Sequence, residues 1–308
     1  MASLFVLRPG LLSTVQDLGR WGWQPYGVSV SGPMDPRAHR LANALVGNPP
    51  DAATLEITLV GPELAFDDAR TVAVCGAEFV VTVNGHLAAH AAPLRVPAGA
   101  HVRLSGRSRG TRAYLAVDGG IAVEPVFGSR STHLPSRVGG LAGRPLHAGD
   151  RLPLGASHGR RVVPRSVPLL DMPSGHALLR VLPSVRLVHF RHDALTRLSS
   201  GPYALRPESD RMGYRLEGPS IGTVTRGTML SQPSPIGSIQ VPHDGQPIVL
   251  MADRQTTGGY PILATVISAD LGLAGQLGPG DTVAFSTCTR QAAIAALIAQ
   301  ERMLMAVR

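Results

Sequence analysis

The 308-residue chain is 44% hydrophobic and 16% charged, a balance that supports a packed core and excludes an intrinsically disordered protein. Its formal net charge is +8 and all 29 basic residues are arginine, which excludes a Schiff-base lysine, a carbamylated bridging lysine and a Walker-type phosphate loop. Aromatic residues make up 4% and do not interleave with the arginine-rich stretches 103–112 and 160–165, so a solvated face or an acidic partner fits better than nucleic acid.

The length exceeds what one hydrophobic core usually serves, so two domains of roughly 150 residues each are expected. The 35 glycines and 26 prolines divide the chain into many short strands. Met1-Ala-Ser-Leu-Phe-Val-Leu-Arg-Pro-Gly10 lacks the basic leader, long apolar stretch and cleavage site of an export signal and reads as a first strand. No apolar run approaches the ~18 residues of a membrane span. Cys75 and Cys288 sit in apolar, strand-like contexts and read as core residues, too few for a disulfide framework. The expectation is a cytoplasmic protein with no membrane partner.

A helix then begins with Asp35 suited to the N-cap and Pro36 to the first helical position. Gly47 stops it, and Ala38, Leu41, Ala42 and Leu45 form its apolar stripe. Strands are predicted at residues 55–59, 71–75, 79–83, 101–104 and 113–117, with Asn84-Gly85 as a tight hairpin turn. Periodicity fades after residue 155, which divides the chain into a domain at 1–155, a linker at 156–177 and a domain at 178–308. Strands resume at 179–182 and 185–188, and a short helix begins near Asp193. Residues 239–241 and 248–252 flank an Asp244-Gly245 hairpin turn. Residues 290–305 read as an amphipathic helix with Ile294, Leu297, Ile298 and Met305 on one face. Three similar phrases, starting at Pro97, His147 and Gly278, each read as a glycine-centred turn entering a strand.

Several runs have the residue types of a binding site. Asp253, Arg254, Gln255, Thr256 and Thr257 precede Gly258-Gly259-Tyr260, more hydrogen-bonding groups than a plain turn needs, although a wide solvated hairpin also accounts for them. Ser129, Arg130, Ser131 and Thr132 place a guanidinium among hydroxyls, which suits a carboxylate or phosphate; a salt-bridged arginine with turn-capping hydroxyls is the competing reading. Asp17 with Arg20, and Asp210 with Arg211, fit either a site or a local ion pair. Ser31 and Gly32 precede a helix start, whose N–H groups attract anions. The eleven histidines give no convincing metal site: His86 and His90 have a zinc-helix spacing but follow a hairpin turn. No nucleophile elbow or dinucleotide fingerprint appears.

Together, Thr14-Val-Gln-Asp-Leu-Gly-Arg20, Ser31-Gly-Pro-Met-Asp35, Ala42-Asn-Ala-Leu-Val-Gly-Asn48, Gly128-Ser-Arg-Ser-Thr132, Ser209-Asp-Arg-Met-Gly213 and the run from Ser238 to Pro261 resemble one family over residues 5 to 287. This is the biotin-dependent carboxyltransferase family, whose members include the 5-oxoprolinase C subunits, and allophanate hydrolase subunit 2. The resemblance implies a mainly β fold of two cyclophilin-like β-barrel domains with a few short helices. It implies an ATP-dependent 5-oxoprolinase, with Mg2+ on the nucleotide. In that enzyme this chain works in a hetero-oligomer with the A and B subunits, of which B is homologous to it and A is separate, and is inactive alone. On that basis Asp17, Asp253 and Arg254 are the catalytic candidates. Ser31, Gly32, Ser129, Arg130, Ser131, Thr132, Gln240, Gln255, Thr256, Thr257, Gly258, Gly259 and Tyr260 are the substrate-binding ones.

Two further readings follow from the same family. One is the carboxyltransferase part of a biotin-dependent urea or amide carboxylase, with biotin carried by another chain because no lysine here can hold it. The other is a non-catalytic binding antagonist of a kinase-inhibitor protein. Gln232, where an acidic residue is often seen, and Ile262, where a lysine commonly follows Tyr-Pro, remove charge beside the strongest motif.

Overall fold

The computed structural model describes residues 2–159, 170–224 and 229–307, which form two compact units. The arginine stretch 160–165 and part of the predicted linker lie outside the described residues. The first unit contains residues 2–20, 31–159, 170–172 and 303–307, and the second contains 21–30, 173–224 and 229–302. Segment 21–30 therefore belongs to the second unit despite its early place in the sequence. The chain end belongs to the first, because Leu304 and Val307 join the cluster formed by the helix Pro36–Leu45.

The first unit is two antiparallel sheets. Six strands run in the order Arg151–Pro153, Ser3–Arg8, Glu63–Phe66, His101–Ser105, Val80–Val83 and His86–Ala88. Five run in the order Leu12–Gln16, Thr54–Thr58, Arg112–Val117, Arg70–Gly76 and Leu94–Val96. Strand Arg112–Val117 is buried along its whole length, and its alternation assigns each face. Ala113, Leu115 and Val117 enter the core shared by the two sheets, while Tyr114 and Ala116 pack on the helix Pro36–Leu45. Val72, Val74, Ala73 and Cys75 divide in the same way on the neighbouring strand. Burial pushes the Cys75 thiol up, which suits a core residue; Cys288 is partly exposed.

The second unit is a closed seven-stranded barrel: His176–Pro183, Ile262–Val266, Ser238–Gln240, Ile248–Leu250, Gly213–Glu217, Tyr203–Leu205 and Thr282–Thr287. A parallel pairing of the first and last strands closes it, with His176 opposite Thr282 and Val181 opposite Thr287. The fold is thus mainly β with a few short helices. In the first unit the strands form two sheets that enclose one core, and in the second they close into a single barrel.

Local chemistry explains the turns. Asn84 and Gly85 take φ of 49° and 81° between strands whose register pairs Val83 with His86, the geometry a two-residue hairpin demands. Each of the three similar phrases closes a four-residue turn with its glycine third: Pro97 to Ala100 (3.2 Å), His147 to Asp150 (3.2 Å) and Gly278 to Asp281 (3.0 Å). Gly99, Gly149 and Gly280 have φ of 75°, 90° and 89°, which a Cβ would disfavour. The Arg290–Met305 helix forms as predicted, but Ile294, Leu297, Ile298 and Met305 remain exposed and Leu304 is its buried residue. The predicted stripe is not the face that packs, because the helix joins the first-unit core only through its last turn.

The helix Pro36–Leu45 is fixed by polar groups as well as by its buried stripe. Asp35 accepts hydrogen bonds from the N–H groups of Arg37 (3.0 Å) and Ala38 (3.2 Å). Tyr114 Oη accepts from the Asp35 N–H (2.7 Å) and donates to Glu56 Oε2 (2.7 Å). His39 is fully buried, its Nε2 donating to Pro50 O (3.0 Å) and its Nδ1 accepting from Thr54 Oγ1 (2.9 Å). Burial lowers its pKa from 6.5 to about 4. Unfolded His39 takes up a proton near pH 6.5 and folded His39 refuses it until about pH 4, so its neutral burial favours folding above 6.5 and that benefit is lost as pH falls. The expected loss between pH 6.5 and 4 is on the order of 3 kcal/mol. Urea unfolding at pH 7 and 4.5 measures it, and His39→Gln should flatten the pH slope. Equal slopes in the two proteins would show that His39 is not the responsible group.

Candidate functional site

Two clusters hold the predicted residues, each built within one unit. In the first unit Asp17, at the end of strand Leu12–Gln16, organises the loop 128–132. Its Oδ1 accepts from Ser129 Oγ (2.5 Å), Ser131 Oγ (2.7 Å) and Gly19 N (2.9 Å), and its Oδ2 accepts from Arg130 N. Thr132 Oγ1 donates to Val15 O (3.0 Å), while Thr132 O accepts from Gln16 Nε2 (3.0 Å) and Ser31 Oγ (2.9 Å). Arg20 donates to Ser131 O. The hydroxyls therefore secure the loop. Arg130 is half-buried and donates Nε to Val123 O (2.8 Å), and its two terminal guanidinium nitrogens have no protein hydrogen bond among the described residues.

Ser31 and Gly32 lie before the helix with φ of 59° and 98°. A Cβ on Gly32 would lie 3.4 Å from Gly19 N, so the two turns approach closely. The N–H groups of Arg37 and Ala38, which were expected to attract an anion, are satisfied by the carboxylate of Asp35.

In the second unit Asp253 forms a bidentate ion pair with Arg211: Nε to Oδ2 at 2.9 Å and Nη2 to Oδ1 at 3.0 Å, with both side chains buried. This partner of Arg211 is 42 residues away in sequence, whereas Asp210 makes a local turn by accepting from Met212 N (2.8 Å) and Gly213 N (3.2 Å). Arg254 is also buried. Its Nε donates to Ser234 O (2.8 Å), and Ser29 Oγ donates to Arg254 O (2.9 Å). Desolvation pulls the Arg254 pKa down to about 10, against the opposing charge of Asp253. Thr256 O accepts from Ser234 N (3.0 Å), and Thr257 and Gly258 form a two-residue strand paired with Gln232–Pro233. Gly259 is exposed, and the Tyr260 ring packs edge-on against His243.

A cleft of about 380 Å3 opens in the second unit, lined among others by Arg206, Arg215, Gln240, Gln255 and Tyr260. Sequence reasoning singled out the last three but missed both arginines, which lie in unremarkable strand-and-turn sequence. It also missed Ser234, whose contribution depends on the Arg254 hydrogen bond. Gln240 ends the hairpin strand Ser238–Gln240 and is 1% exposed, and its Nε2 has no hydrogen-bond partner among the described residues. Leaving such a buried donor unmade costs about 1–3 kcal/mol. Among the described residues no group of three or more His, Cys, Asp or Glu is placed to hold a metal ion, and no helix is long and apolar enough to cross a membrane.

With this architecture, residues 26–287 match the family model described as carboxyltransferase domain, subdomain A and B, and the chain belongs to that family. It is 39% identical over 299 residues to the 5-oxoprolinase C subunit of Escherichia coli (strain K12), a match covering 97% of this chain and 96% of that protein. The protein of the same name from Haemophilus influenzae is 36% identical over 285 residues, covering 91% and 90%. The solved urea carboxylase of Kluyveromyces lactis superposes with a TM-score of 0.93 at 30% identity over 99% of this chain. The chain spans only 29% of that protein's length, and 20% of the K. lactis urea amidolyase that it matches equally well.

The buried pair gives a direct prediction. Asp253→Ala leaves the Arg211 guanidinium buried without its carboxylate and should cost about 3–5 kcal/mol in urea unfolding. Replacing both Arg211 and Asp253 with apolar residues should recover part of that loss. Arg130→Ala, which removes one hydrogen bond from a half-buried side chain, should cost about 1 kcal/mol or less. A small effect of Asp253→Ala would mean that the pair does not hold the loop.

Proposed function

We propose that this chain is the C subunit of an ATP-dependent 5-oxoprolinase, which hydrolyses 5-oxoproline to L-glutamate together with its A and B subunits. The end-to-end match to proteins of that name carries the reading: 97% of this chain aligns with 96% of the E. coli protein, whereas the urea-processing relatives contain this region as a minor part of a much longer chain.

The cleft chemistry supports a small acidic amide. Arg215 offers a planar cation to a carboxylate beside Arg206, which is ion-paired with Glu208 (3.3 Å), and the side-chain amides of Gln240 and Gln255 offer the donors and acceptors that a lactam N–H and C=O require. Asp17 and the pair Arg211–Asp253 act by positioning loops, and Arg130 and Arg254 supply fixed positive charge. The ATP and Mg2+ of the proposed reaction are assigned to the assembled enzyme. A second reading, carboxyl transfer to urea or another amide from biotin on a separate chain, is favoured by the TM-score of 0.93 to urea carboxylase.

Co-expression with the A and B subunits decides between them. The expected result is one complex at micromolar concentration on size exclusion, with ATP-dependent glutamate release that requires all three proteins. The chain alone should release none. Elution of this chain separately from its B homologue, or a complete complex without ATP-dependent glutamate release, would overturn the proposal. Carboxylation of urea in the presence of a carboxybiotinylated carrier would establish the second reading.

A further inference from the structure

Residues Ala292 to Ala299 read Ala-Ala-Ile-Ala-Ala-Leu-Ile-Ala, a run without one polar side chain. They form the middle of the helix Arg290–Met305, which Thr289 starts by accepting the Ala292 N–H at its Oγ1 (3.2 Å). A helix that is apolar all round is normally buried. This one is not. Ile294, Leu297 and Ile298 are 48%, 36% and 47% exposed, and Leu304 is the buried residue of the helix. Ala293 and Ala296 are half-buried and lie on another side, so the larger apolar side chains are turned away from their own chain.

The order of side chains on the exposed face restricts what can cover it. At about 100° per residue, Arg290, Ile294, Leu297, Ile298 and Glu301 fall within an arc of about 100°. Steps of four, three and four residues separate Arg290, Ile294, Leu297 and Glu301, which is the spacing of a coiled-coil seam. This seam is complementary to its own reverse. In an antiparallel pair centred between Ala295 and Ala296, Ile294 of each helix opposes Leu297 of the other. Arg290 then opposes Glu301 at both ends, and Ile298 lies beside Ala293, a large side chain against a small one. A parallel pair would instead set arginine against arginine and glutamate against glutamate.

We infer that this helix face docks a second copy of the same chain, antiparallel, in an isologous dimer. An anionic membrane surface matches it poorly, because no basic residue lies between Arg290 and Arg302. A contact of about three turns falls at the small end of protein interfaces, so the dimer should dissociate in the micromolar range. The inference does not rest on the function proposed above.

Sedimentation velocity of the 308-residue chain from about 1 to 200 μM tests it. The expected result is a rise with concentration from the mass of one chain towards that of two. Ile294→Glu sets a carboxylate against Leu297 of the other helix and should leave a monomer, with little change in melting temperature because Ile294 is half exposed. Arg290→Glu and Glu301→Arg each place like charges opposite one another. Each should weaken the dimer by about tenfold, since a two-fold contact counts every change twice. Neither opposes the helix dipole, because the new acid lies towards the N-terminus and the new base towards the C-terminus. The double reversal should restore association, which neither a dissimilar partner nor a purely structural role would produce. A monomer over the whole range would overturn the inference, and if Ile294→Glu then impaired binding of the B homologue the face would belong to that chain. A dimer that Ile294→Glu or the single reversals leave unchanged would overturn it as well.

Discussion

The ion pair between Arg211 and Asp253 is the constraint on which the second-unit site depends. Two hydrogen bonds of 2.9 and 3.0 Å, reinforced by Asp253 N donating to Arg211 O (2.8 Å), tie the start of the polar loop to the barrel turn before strand Gly213–Glu217. The next residue, Arg254, reaches back to Ser234 O, and Ser234 N binds Thr256 O, so the loop and the short strand Gln232–Pro233 hold each other. Desolvating two charges costs several kcal/mol each, and an apolar pair of the same size would often serve stability as well. What an apolar pair lacks is direction. A fork-to-fork geometry fixes the loop in position and orientation, as a site on a loop requires.

The first unit uses a carboxylate in a related way. Asp17 draws the side chains of Ser129 and Ser131 and the N–H groups of Gly19 and Arg130 onto one group. The hydroxyls that looked like ligand donors in the sequence are thereby spent on the loop. What remains for chemistry is the outer part of the Arg130 guanidinium, anchored through Nε at Val123 O. In both clusters an acidic residue read as catalytic has its oxygens committed to neighbouring protein groups.

Features governed by neighbours in sequence were legible there. The Asp35 cap, the Asn84-Gly85 hairpin and the three glycine turns at Gly99, Gly149 and Gly280 follow from φ preferences and side-chain reach over two or three residues. Partnerships across distance were not. Arg211 has an acidic neighbour at Asp210, yet it pairs with Asp253, because Asp210 is used by the local turn. Asp17 and the loop 129–131 are more than 110 residues apart. The stripe on Arg290–Met305 had the right spacing, but spacing shows only which residues share a face and not whether anything packs against it. Gly258 was noticed as one of a glycine pair, while the side chains packed against it, Gln240 and Ser234, come from other segments.

The all-arginine composition, whatever its origin, has a physical consequence at this site. Burial lowers the Arg254 pKa to about 10, which still leaves it charged near neutral pH. A lysine starts lower, and the same desolvation would bring its titration close to the neutral range, where its charge becomes sensitive to pH. It would also bind as a point charge, without the planar fork that lets Arg211 hold Asp253 through two nitrogens at once. Arginine thus gives the loop cations whose charge is insensitive to burial and whose geometry is directional.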